Sequence, residues 1–124
     1  MFDALRNLTG MAGLMKDLPR IKARLEEVRS KLGDLRVSAD TGGGVVRATA
    51  TGKLRVVSIE VDPALMAALA DPSNADDRAL AQELIVGAVN AALEKAQQRA
   101  AEELARAAQE LGLPLPPGGL GELL

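Results

Sequence analysis

The apolar positions between residues 11 and 32 fall at Met11, Leu14, Leu18, Ile21, Leu25, Val28 and Leu32, in alternating steps of three and four. That spacing is the seam of an amphipathic helix built to lie against another helix. Pro19 interrupts it, and is accommodated either in a first turn capped by Asp17 or a neighbour, or as a kink in a longer helix. Gly33 follows the last seam residue and is expected at the C′ position. Beyond it the pattern switches to the two-residue alternation of strands. Leu35–Ala39, Val45–Thr51 and Leu54–Val61 predict three strands. Val46, Ala48 and Ala50 share one face of the second, and Val57, Ile59 and Val61 are directed inward from the third. Gly42-Gly43-Gly44 predicts the first hairpin loop, and Thr51-Gly52-Lys53-Leu54 a two-residue type II′ turn with glycine first.

Asp62-Pro63 ends the third strand, and residues 64–69 predict a short helical turn. A long helix then runs from about Asp77 to Leu111, capped by Ser73, Asn74 or Asp76. Its stripe is Leu80, Leu84, Ala88, Ala92, Ala96, Ala100, Leu104 and Ala108, rich in a residue that favours helix and permits close approach. The expected fold is α+β: a long N-terminal helix, a three-stranded antiparallel meander and a long C-terminal helix. One dimerising domain is expected over 1–112, with a Pro/Gly-rich, flexible tail over 113–124. The two long helices run antiparallel in this scheme, bringing Glu83, Glu94 and Glu102 near the basic flanks of the first. A sheet of three strands leaves two edges, and pairing with a second copy would close one of them.

Composition restricts the chemistry. Among 124 residues there is no Cys, His, Trp or Tyr, and one Phe, Phe2. The commonest metal ligands and the neutral-pH proton carrier are therefore missing, so neither a metal nor another cofactor is expected, and no enzyme. The scattered carboxylates show no acid–base spacing. Gly42-Gly43-Gly44 links two strands rather than a strand and a helix, so it does not predict a phosphate cradle. An early charged N-terminus and the lack of a long apolar run predict a cytoplasmic protein with no membrane partner, and with no enzyme expected, no small-molecule substrate is expected either.

The net charge is −2 but unevenly spread. Residues 1–39 hold eight basic and five acidic side chains, whereas residues 64–124 hold four basic and nine acidic. Basic candidates on the first helix are Lys16, Arg20, Lys22, Arg24, Arg29 and Lys31. Lys22, Arg24, Arg29 and Lys31 flank the seam, where pairing to the second helix is favoured over phosphate contact. Lys16 and Arg20 point further from it. On the second helix Lys95, Arg99 and Arg106 share a face, with Glu102, Glu103 and Glu110 as competing partners.

The element order and several strings resemble the YbaB/EbfC nucleoid-associated proteins. They are Gly44-Val45-Val46-Arg47, Gly52 at the hairpin, and Val57-Ser58-Ile59-Glu60-Val61-Asp62-Pro63. Glu83-Leu84-Ile85-Val86-Gly87-Ala88-Val89-Asn90-Ala91-Ala92 and Leu115-Pro116-Pro117-Gly118 follow in order, so the resemblance spans nearly the whole chain. Two departures stand out: Lys16–Leu25 replaces the Gln/Met-rich segment common in the first helix, and Thr51-Gly52 replaces Asn-Gly. The resemblance implies a sheet-joined homodimer with tweezer-like helical arms that binds duplex DNA in the bacterial nucleoid, with little sequence preference. DNA-binding candidates are then Lys16, Arg20, Lys22, Arg24, Arg29, Lys31, Lys95 and Arg99. Lacking Tyr, Trp and His for base stacking, such binding would be directed at the phosphate backbone and sensitive to salt. The alternative is a dimeric protein-interaction module that does not bind DNA; a helix lying on a membrane surface fits less well, because the seam is committed to a helix partner.

Overall fold

The computed structural model describes the backbone of residues 2–112 and the side chains of residues 16–112. Its order is α1 (Phe2–Asp34), β1 (Arg36–Thr41), β2 (Val46–Thr51), β3 (Val56–Val61), α2 (Pro63–Ala70) and α3 (Ala75–Glu110). The strands form an antiparallel meander in the order β1-β2-β3. The expected Pro/Gly-rich tail lies outside the described residues, as do the side chains of Met11 and Leu14.

α3 is the spine. Its first turn is closed by Asn74, whose side-chain oxygen accepts from the Asp77 N–H at 3.1 Å. Asp76 and Asp77 lie where the helix dipole favours negative charge. Ala88, Ala92 and Ala96 recur every four residues and are buried against Ala39, Val46, Ala48 and Ala50 of β1 and β2. Alanine brings little apolar area, about 0.8 kcal/mol per methyl-sized group, but lets the helix axis approach the sheet closely. At the head of this contact the Thr41 hydroxyl donates to the Leu84 carbonyl at 2.6 Å. A Cβ on Gly87 would stand 3.3 Å from the Thr41 methyl.

α1 packs on the far half of α3 through a second cluster of Val28, Leu32, Ala100 and Ala107. Arg24 meets Glu110, while Lys31 and Leu32 share a depression with Arg99 and Glu103, so the helices run antiparallel as expected. Because α3 ends at Glu110, the part of α1 before Arg24 extends past it. Leu18, on that part, is 47% exposed, and Leu25, at its edge, is 40% exposed. Pro19 lies inside a continuous helix, not in a first turn. Gly33 is also inside α1, without positive φ; the helix runs on to Asp34.

The β2–β3 hairpin differs from expectation for a steric reason. Leu54, not Gly52, has positive φ, at 63°. The Leu54 N–H donates to the Thr51 carbonyl at 3.0 Å and the Thr51 N–H to the Arg55 carbonyl at 2.8 Å. This is a three-residue loop with a left-handed third residue, rather than a type II′ turn. Left-handed leucine costs roughly 1–2 kcal/mol, and Leu54 offsets it by packing on the main core. Gly52 is needed for space: a Cβ there would lie 2.7 Å from the Leu32 carbonyl oxygen of α1.

The inward assignment of Val57 and Ile59 is corrected by where α3 lies. Ile59 and Val61 stand opposite Ala48 and Val46, on the side that faces α3. The helix spans β1 and β2 and barely reaches β3. Val57 and Ile59 remain 50% and 46% exposed, and a register shift between Thr49 and Ala50 leaves Val57 out of the pairing. Leu80, expected on the buried stripe of α3, is 55% exposed; Ala81 is buried in its place.

Gly52→Ala should destabilise the fold by about 1–3 kcal/mol, the range for forcing an added methyl into a filled site. Urea unfolding monitored by circular dichroism would check this; a change within about 0.5 kcal/mol, typical of a surface position, would refute the close approach of the hairpin to α1.

Candidate nucleic-acid interface

The basic candidates separate according to what each already touches. Arg24 is committed: its guanidinium reaches Glu27 at 3.0 Å and Glu110 at 2.8 Å. Hydrogen bonds to Glu27 and Glu110 raise its pKa further above the ordinary arginine value. Lys22, Arg29 and Lys31, its companions along the seam flanks, are exposed and have no ion pair among the described residues. The favoured internal pairing thus holds for one of those four cations. The reason is the stagger of the helices: Glu110 lies opposite Arg24, whereas Glu83 and Glu94, expected near α1, belong to the half of α3 that covers the sheet. Glu102 pairs within its own helix, with Arg99.

Lys16 and Arg20 sit on the part of α1 that extends past α3. Lys16 is exposed, and Arg20 makes only a long contact to Asp17 at 3.9 Å with both side chains more than half exposed. Such a contact holds a charge weakly and leaves it available to another anion. Helical spacing puts Lys16, Arg20, Arg24 and Lys31 along one flank, at steps of four, four and seven. Lys22 and Arg29, seven apart, run along the opposite flank.

On α3, Lys95 crosses to the sheet and donates from Nζ to the Ser38 carbonyl at 3.0 Å. Arg99 has only a loose contact with Glu102 at 3.8 Å, and Arg106 pairs with Glu103 at 3.0 Å. Arg36, at the start of β1, was not among the sequence candidates. Its Nη1 donates to the Gly33 and Leu35 carbonyls at 2.7 and 3.2 Å, and its side chain lines a cleft with Lys95 and Arg99. Alternation marks Arg36 as outward-facing on a strand, but not as a neighbour of α3, which lies about 60 residues later.

Directly opposed on β1 and β2, Asp40 and Arg47 form another ion pair at 2.8 Å. The hydrogen bond from Arg47 holds the Asp40 carboxyl below the usual aspartate range, with Coulombic help from Arg47 and Lys95. Ser73 lowers Asp71 similarly, through side-chain and backbone hydrogen bonds. Among the described residues no cluster of acidic side chains could hold a metal, and no buried side-chain polar atom lacks a partner. No described helix is long and apolar enough to cross a membrane.

Because Asp40 titrates lower in the folded state, its contribution to stability is present above the unfolded aspartate pKa and is lost as pH falls through the folded value. A carboxyl-detected NMR titration should show Asp40 titrating below 3.8. Arg47→Gln should bring it back toward that value; an unchanged titration would exclude the pair as its cause.

Comparison with known proteins places the chain in a family. Residues 7–111 match the model of the YbaB/EbfC DNA-binding family. A nucleoid-associated protein of Chlorobium phaeobacteroides is 42% identical over 95 residues, covering 77% of this chain and 78% of its own. One from Moorella thermoacetica is 36% identical over 104 residues, covering 84% and 93%. The crystal structure of an uncharacterized protein from Helicobacter pylori superposes with a TM-score of 0.59 at 22% identity, covering 74% of this chain and 88% of that one. The likeness in structure supports the fold; the family match over most of the chain, with relatives above 30% identity, establishes the ancestry. The chain belongs to the YbaB/EbfC DNA-binding family, a family of DNA-binding proteins and not of enzymes.

Proposed function

We propose that this chain is a dimeric nucleoid-associated protein that binds duplex DNA through phosphate contacts, largely without sequence preference, and so contributes to nucleoid organisation or gene regulation. The observation that carries this reading is the projecting half of α1, where Lys16 and Arg20 are exposed beyond the end of α3. With no Tyr, Trp or His, the chain has few means of stacking on bases, so charge and shape remain for recognition.

Dimerisation is supported by the contrast between the two sheet edges. On β1, Lys95 covers the Ser38 carbonyl, and Arg36 and Asp40 place charges beside it. Charged edges resist strand pairing. On β3, Val56, Val57 and Ile59 form an open apolar strand, with Met66 of α2 also exposed. A core whose fully buried side chains are nearly all alanine gives a lone protomer little stabilisation, so covering β3 with a second copy offers a gain that the monomer lacks. The net charge of −2 and the paired state of Arg24 and Arg106 favour the other reading, a protein-interaction module without DNA binding.

Random-sequence duplexes separate the two readings. Retardation at low salt that weakens steeply as salt rises is expected; none by a verified dimer would refute DNA binding. Lys16→Glu with Arg20→Glu should lower the slope of log affinity against log salt by about two, at about 0.9 per phosphate contact. Sedimentation equilibrium should show a dimer at micromolar concentration and a folded monomer for Ile59→Lys; a wild-type monomer would refute the assembly.

A further inference from the structure

The start of β1 and the middle of α3 meet at a cleft of about 360 Å³ lined by Arg36, Ser38, Lys95, Gln98, Arg99 and Glu102. Through Arg99 it adjoins a second depression, of about 320 Å³, lined by Lys31, Leu32, Leu35 and Glu103 among others. Lys31 there lies on the same flank of α1 as Arg20 and Lys16. From Lys16 to Lys31 that flank extends about 22 Å at 1.5 Å per residue.

We propose that these groups form one phosphate-binding track, running along the Lys16–Arg20–Lys31 flank of α1 and into the Arg36–Lys95–Arg99 cleft, and that the Lys22–Arg29 flank lies off it. The proposal rests on the DNA-binding reading and specifies its surface. The donors are available there. Arg36 is exposed and uses Nη1 on two carbonyls, which leaves the Nε and Nη2 hydrogens for other acceptors. Lys95 commits one of its three ammonium hydrogens to Ser38, fixing its position without exhausting it. Arg99 is half exposed and held only by the 3.8 Å contact to Glu102. Lys95 and Arg99 stand one helical turn apart, about 6 Å.

The opposing charges are countered unequally. Glu103 is engaged by Arg106 at 3.0 Å. Glu102 and Asp34 remain exposed beside the track, against the four cations Lys31, Arg36, Lys95 and Arg99. The cleft is open and its cations solvated, which suits a polyanion passing across it and not a small phosphate enclosed within it. Lys22 and Arg29, without an ion pair among the described residues, carry the same charge but lie on the flank of α1 opposite Lys31, which lines the adjoining depression. Charge alone does not distinguish the two flanks; the packing of α1 on α3 does.

The experiment measures fluorescence anisotropy of a labelled random-sequence duplex against the full chain across a salt series. Arg36→Gln with Arg99→Gln removes two charges from the cleft, and Lys22→Gln with Arg29→Gln removes two from the other flank. Circular dichroism melts confirm that each variant is folded. The cleft pair should reduce the salt slope by about two, at about 0.9 per phosphate contact, and the flank pair by less than one. Equal losses, or a larger loss from Lys22 and Arg29, would overturn the track while leaving DNA binding intact. Failure of the wild-type chain to bind at low salt would instead remove the DNA-binding reading, and the track with it. If Arg36→Gln alone proves unstable, Arg99→Gln alone should still lower the slope by about 0.9, and an unchanged slope would count against the cleft.

Discussion

Ala88, Ala92 and Ala96 of α3 lie against Ala39, Ala48 and Ala50 of the sheet, and the small size of these residues sets how the remaining elements are placed. With methyl groups on both surfaces the helix comes down close to the strands, close enough for Thr41 to reach the Leu84 carbonyl. Close approach requires exact positioning across the sheet, because larger side chains at the margins cannot be overlain. α3 therefore covers β1 and β2 and barely reaches β3. The exposed valines and isoleucine of β3 are the direct consequence. The same contact directs the far half of α3 away from the sheet, where Ala100 and Ala107 receive Val28 and Leu32 of α1.

This second contact positions the charge. α1 meets α3 only where α3 has length to offer, up to Glu110, and that carboxylate takes Arg24. Cations before that point on α1 belong to a projecting helix; Lys31, after it, lies at the junction with β1. The hairpin carrying Gly52 reinforces the junction by touching the Leu32 backbone, which couples the sheet to the end of α1. The proposed binding surface over α1, β1 and α3 would then depend on two packing contacts built mainly from alanine, valine and leucine. An electrically negative chain can present a local basic surface in this way, since much of its acidic excess falls in the C-terminal half of the sequence.

Much of the fold was legible in the sequence. The heptad seam, the three alternating runs and the alanine stripe each carry a period that belongs to one kind of element, and Asn74 and Asp62-Pro63 mark where helices begin. The details that were misread all depend on a contact distant in sequence. Gly52 was read as a conformational glycine, but its requirement comes from Leu32. Val57 and Ile59 were read as buried because alternation reports which face a side chain is on, not whether anything covers that face. Leu80 continues the stripe by spacing, yet the neighbouring Ala81 takes the buried position.

The candidate site divides in the same way. The sequence by itself determined that the chain has almost no side chains for stacking or for the commonest metal ligation, that its cations concentrate in the first third, and that long helices precede and follow a small sheet. Those are properties of composition and local period, and folding does not alter them. Only the tertiary structure decided that Arg24 is spent on Glu110, that Lys22, Arg29 and Lys31 are not paired within the fold among the described residues, and that Arg36 joins Lys95 and Arg99. Such assignments depend on the stagger between α1 and α3. That stagger is set by which residues meet across the interface, a relation between positions about 70–80 residues apart that no local pattern encodes.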